Sequence, residues 1–155
     1  MKKILFLLSI GFCINVSAQS FNDDKTAFTN FLKRMYKASP FEGVKIVEDY
    51  DRQYLLSVVS LDKEKYSNPS IINRVAQVKA QSQANTFLNG ANISMDMVIK
   101  TSETSVEGSV NTIVESIETI KQNSMGFTQG LELLANFDDE ESKRMVFMYY
   151  REIKE

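Results

Sequence analysis

Hydrophobic positions change period several times along the chain, and each change marks an element. Ala27, Phe28, Phe31, Leu32, Met35 and Tyr36 recur at three- and four-residue spacing, the stripe of an amphipathic helix. Asp23 and Asp24 suit the N-terminal end, where the helix dipole favours negative charge. Ser39-Pro40 closes the segment, because the residue before a proline avoids the helical region. The spacing predicts a helix over residues 24–37. Two β-rich runs follow, Val44 to Val47 and Tyr54 to Leu61, and the turn-like Asp49-Tyr50-Asp51-Arg52 between them makes an antiparallel hairpin.

Asn68-Pro69 is a helix start: a capping side chain is followed by a residue whose missing N–H costs nothing at the first helical position. Gly90 is the matching stop. Between them Ile72, Ala76, Ala80, Ala84 and Leu88 form one i, i+4 row, with Val75 and Phe87 beside it and Asn73, Gln77, Gln81 and Asn85 facing away. A row of alanines allows a helix backbone to lie close on a sheet. Ile93, Met95, Met97 and Ile99 then alternate with Asn92, Ser94 and Asp96, the period of a half-buried strand. Thr101 to Gly108 is polar and reads as a loop.

Val110 to Ile120 fits two templates. Val110, Ile113, Val114, Ile117 and Ile120 make a helical stripe, whereas the wealth of Thr, Val and Ile suits a strand. The strand is the favoured reading, with the helix left open. Finally, Leu131 to Phe137 and Met145 to Tyr150 flank the acidic tip Asp138-Asp139-Glu140-Glu141-Ser142-Lys143 and predict a long terminal hairpin. Its second strand is apolar on both faces up to Arg151. One face should meet helices, and the other either more protein or a partner.

The first residues follow a different logic. Met1-Lys2-Lys3 is a short positive start, Ile4 to Val16 is largely apolar, and Val16-Ser17-Ala18 puts small or aliphatic residues at the positions a signal peptidase reads. Residues 1–18 are expected to be a cleavable signal peptide, cut before Gln19. The alternative, a membrane anchor, is disfavoured because the run is shorter than the roughly 20 residues that cross a bilayer and Asn15 interrupts it. Lipidation at Cys13 is disfavoured by Phe12, since that processing needs a small residue before the cysteine. The rest of the chain contains no second apolar run long enough to span a membrane.

Cleavage changes the chemistry. Removing 18 of 155 residues leaves 137, an ordinary size for one domain, residues 19–155. The single cysteine, Cys13, leaves with the leader, and histidine is absent throughout. The mature chain would therefore lack a thiol nucleophile, soft metal ligands, and the commonest general base and pH switch. Lys2 and Lys3 leave too, so Lys+Arg falls from 18 to 16 against 20 acidic residues, a net charge near −4. No basic patch interleaved with aromatics points to nucleic acid.

Candidate sites are correspondingly few. Asp138 to Glu141 could offer oxygen ligands to calcium, but it lacks the spacing and glycine of a calcium loop and reads as a solvated turn that discourages edge pairing. Asp49, Asp51 and Asp96 are nominally available for a two-carboxylate hydrolase. Met95, Met97, Met145, Met148, Phe147, Tyr149 and Tyr150 could be ordinary sheet core or an adaptable binding face. The expected interaction surface is the outer face of the last strand, Met148 and Tyr150. No catalytic residue, cofactor or metal is assigned.

The order of elements, with the spaced alanines of Val75 to Gly90 running into strands and a Tyr-bearing last strand, resembles the small outer-membrane lipoproteins of the LPP type, the twenty-kilodalton class. The resemblance covers residues 70–152 and implies a helix on an antiparallel sheet and a role at the cell envelope, without catalytic residues. The family's lipidation cysteine has no usable counterpart here. The expectation is an α+β fold, two helices on one face of a mostly antiparallel sheet of about five or six strands. The expected function is that of an exported, non-enzymatic binding or scaffolding protein, periplasmic or extracellular, with outer-membrane association as a further option. Its partner would be an envelope protein or a second copy, not nucleic acid. The alternatives are a carboxylate-dependent hydrolase of envelope polymers and a carrier of a small apolar ligand.

Overall fold

The computed structural model describes residues 16–66, 68–90, 97–101 and 109–153. The fold is α+β. The elements in chain order are α1 (Val16–Ala38), β1 (Gly43–Asp49), β2 (Arg52–Asp62), α2 (Pro69–Gly90), β3 (Val98–Lys100), α3 (Ser109–Lys121), α4 (Ser124–Gln129), β4 (Glu132–Asp139) and β5 (Arg144–Ile153). The chain divides into two compact units, one ending at Pro40 and one beginning at Phe41.

In the first unit α1 is longer than the spacing predicts and is already helical at Val16, the first described residue. Phe28, Leu32 and Tyr36 are its buried positions, one turn apart. Phe31 and Met35 are half-buried and Ala27 is exposed, so the apolar stripe is narrower than the sequence suggests.

The second unit is built on a five-stranded sheet with the order β3-β1-β2-β5-β4. β1 and β2 form the expected hairpin, with Asp49 opposite Arg52 and Tyr50-Asp51 at the turn. β2 lies antiparallel to β5 over its whole length, Gln53 opposite Ile153 and Asp62 opposite Arg144. β4 and β5 form the terminal hairpin, whose register shifts between Leu133 and Ala135. β3 is the exception to the antiparallel rule, running parallel to β1 with Val98 opposite Ile46. Strand pairing alternates faces, so Val98, not Ile99, joins the layer that holds Ile46, and it is Val98 that packs on the core. Residues 91–96 and 102–108, where the rest of the alternating run and the polar loop fall, lie outside the described residues.

Helix α2 covers one face of the sheet along the predicted row, since Ile72, Ala76, Ala80, Ala84 and Leu88 are all buried. Asn68 starts it by accepting the backbone N–H of Ser70 at 2.8 Å. The alanines bring the helix backbone within reach of β2, where the buried Ser57 hydroxyl sits 3.2 Å from the carbonyl oxygen of Ala80 and 3.2 Å from Gln83 Oε1. Beneath the helix lie Leu55, Val59 and Leu61 of β2 and Phe147, Tyr149 and Ile153 of β5.

Two features depart from the sequence reading. Ser109 to Lys121 is a helix, α3, not the favoured strand. The helical stripe decides it: Ile117 is fully buried and Ile120 packs on the same core, while Val114 is exposed, an asymmetry that a β-branched composition does not forbid. A short unforeseen helix, α4, follows, with Asn123 Oδ1 accepting the backbone N–H of Gly126 at 3.3 Å. The structure thus has four helices among the described residues, two more than the sequence pattern suggests.

Candidate interaction surface

Alternation along β5 divides its residues between the two faces of the sheet. Met145, Phe147, Tyr149 and Ile153 belong to the core with α2. Val146, Met148, Tyr150 and Glu152 therefore lie on the opposite face. The register extends that face across the neighbouring strands: Tyr150 stands opposite Leu56, Met148 opposite Val58 and Glu152 opposite Tyr54. On the other side Glu132 is opposite Tyr150, Ala135 opposite Met148 and Phe137 opposite Val146.

The structure separates the two residues that the sequence singled out. Met148 has no exposed surface, in common with Val47, Leu56, Val58 and Val146 of the same face. It is a packed side chain, and only Tyr150 of the pair offers surface, being half-buried. The ring of Tyr150 lies 5.8 Å from that of Tyr54, tilted by 40°, within the range where aromatic pairs attract. Ala135 and Phe137 of β4 are also half-buried, so the surface that this face presents is Tyr150 with its β4 neighbours.

Among the described residues β4 is the terminal strand on that side. Its irregularity between Leu133 and Ala135 adds twist, a common feature of sheet edges. Leu133 is one of the exposed large apolar residues of the chain. In the acidic tip Asp138 and Asp139 end the strand and Glu140 to Lys143 form the turn. Asp138 pairs with Lys63 at 3.2 Å, Asp139 accepts the Ser142 hydroxyl at 2.6 Å, and Lys143 takes a left-handed φ of 56°. No group of three or more His, Cys, Asp or Glu side chains among the described residues is placed to hold a metal ion.

Of the other carboxylates considered from sequence, Asp49 and Asp51 lie at one hairpin turn. Asp49 ends β1 and accepts the Thr101 hydroxyl at 2.6 Å. Asp51 is exposed in the hairpin turn beside Tyr50, which has a φ of 56° and is 85% exposed. Asp96 lies outside the described residues. Near that turn burial raises the Tyr54 phenol above its ordinary value, the neighbouring Arg52 guanidinium opposing that rise.

One contact was not legible in sequence. Arg151 Nη1 donates to the carbonyl oxygen of Gly126 at 3.0 Å and to that of Phe127, and the guanidinium lies 4.6 Å from the centre of the Phe127 ring. Arg151 thereby ties α4 to β5. The backbone at Gly130 passes so close to this guanidinium that a Cβ there would collide with it.

In comparisons with protein-family models, curated proteins and solved structures, nothing matches the chain.

Proposed function

We propose that this is an exported, non-enzymatic protein that binds or scaffolds at the cell envelope, through the half-buried Tyr150 and the adjoining strand β4. The observation that carries the export half is the leader, Lys2-Lys3 before the apolar run Ile4 to Val16 and the Val16-Ser17-Ala18 site. The composition supports a non-enzymatic role, because a chain cut before Gln19 has neither thiol nor imidazole. The arrangement of spaced alanines in α2, followed by strands and a Tyr-bearing last strand, fits the envelope role that the LPP-type resemblance implies.

A terminal strand with an exposed Leu133 and half-buried Ala135 and Phe137, beside the half-buried Tyr150 of β5, suits either strand addition or side-chain docking. The partner is an envelope protein or a second copy of this chain. The test replaces Tyr150 by Glu and leaves Met148 untouched, because a charge at a fully buried position would unfold the sheet. In intact cells expressing the full chain, chemical cross-linking should capture an adduct that Tyr150→Glu weakens without changing the circular dichroism spectrum. An unchanged adduct in a folded variant would show that this surface is the wrong one. Sedimentation of the purified chain separates self-association from a second protein.

A further inference from the structure

We infer that, once the leader is removed, the new terminal residue Gln19 closes on itself to form pyroglutamate. This rests on the export reading above. Helix α1 is continuous from Val16 to Ala38, so the Ala18–Gln19 bond lies within it. Cleavage there trims the helix and leaves Gln19 as its first residue. The first four backbone nitrogens of a helix have no intrahelical acceptor, so the freed α-amine of Gln19 is not held by the helix.

The step needs no second reactant. An α-amine with a pKa near 8 is unprotonated in roughly a tenth of molecules at neutral pH. Its lone pair attacks Cδ of the residue's own side-chain amide, forming the N–Cδ bond. The Cδ–Nε2 bond breaks, and Nε2 leaves as ammonia, taking up a proton lost by the amine. The product is a neutral five-membered lactam.

The helix favours that product over the open form in two ways. Ring closure removes a positive charge from the end of α1 at which the helix dipole is already positive. The ring also restrains rotation about N–Cα much as proline does, and proline's geometry is that of the first helical position. A cut one residue later would expose Ser20, which cannot cyclise in this way.

The experiment uses the full chain, residues 1–155, produced in an exporting host. The intact mass and the N-terminal peptide are then determined after incubation at neutral pH for increasing times. The expected peptide begins at Gln19, is lighter by one ammonia, resists Edman degradation and is opened by pyroglutamyl aminopeptidase. The Gln19→Ala chain should be cut at the same bond and keep a free amine. A persistent free amine on Gln19 overturns the cyclisation and leaves export standing. A chain that still carries residues 1–18 overturns both readings.

Discussion

Replacing Ala80 by Leu tests the close seating of α2 on β2. Ala80 is fully buried, and the Ser57 hydroxyl reaches its carbonyl oxygen at 3.2 Å. A leucine adds three carbon atoms at a place where helix and strand already touch through backbone. Overpacking of this kind costs about 1–3 kcal/mol. If α2 lifts to make room, the buried Ser57 hydroxyl loses its carbonyl partner and keeps Gln83 Oε1, a further ~0.5–1.5 kcal/mol. The expected total is about 1.5–4.5 kcal/mol, read as a lowered urea midpoint with unchanged slope. At ~2 kcal/mol/M for the slope, that is a shift of about 1–2 M. Gln77→Leu on the exposed side of the same helix is the control and should stay within about 0.5 kcal/mol of the parent. Ser57→Ala in the Ala80→Leu background should cost less than Ser57→Ala alone, because the bond is already lost. Should Ala80→Leu match the parent chain in stability, the close approach of helix to strand would be refuted.

The other predictions concern the turns, α4 and pH. Tyr50 has a φ of 56°, which costs a side-chain-bearing residue roughly 1–2 kcal/mol, against roughly 0.5–1 kcal/mol of extra chain entropy for glycine. Tyr50→Gly should therefore stabilise by about 0.5–1 kcal/mol in thermal melts and Tyr50→Ala should not. Arg151→Met removes the donor to the Gly126 and Phe127 carbonyls and should lower hydrogen-exchange protection across α4. Gly130→Ala should do the same by displacing the guanidinium, and normal protection in both variants would contradict the tie. Burial raises the Tyr54 and Tyr149 phenols above their ordinary value. The unfolded chain thus ionises first, and the stability these phenols contribute is complete below about pH 10 and lost as pH rises through the folded-state values. Tyr149→Phe should shrink that alkaline loss in urea midpoints measured across the range. Equal losses in variant and parent would contradict it.

Residues that repeat at one period over several turns foretold their own burial. The row Ile72, Ala76, Ala80, Ala84 and Leu88 is buried as expected because nothing in α2 competes with it. The terminal hairpin was equally legible, since two apolar runs flank a tip of consecutive carboxylates. Val110 to Ile120 misled because propensity and period disagree there, and packing of Ile117 settled the contest for the helix. α4 is too short to show a period. The parallel pairing of β3 depends on contacts distant in sequence. Met148 looked like surface because a strand apolar on both faces does not reveal how closely each face is packed. Arg151 read as the end of an apolar run, whereas its role depends on Gly126 and Phe127 coming near it in the fold.

Where the chain resides, and at what length, tests its export. Cells producing residues 1–155 should be separated into cytoplasm, envelope and medium, beside cells producing a chain with Leu7 and Leu8 changed to Asp. The parent chain is expected outside the cytoplasm, shortened to begin at residue 19, while the altered chain stays inside at full length. A parent chain held in the cytoplasm at full length, as the altered one is, would contradict export.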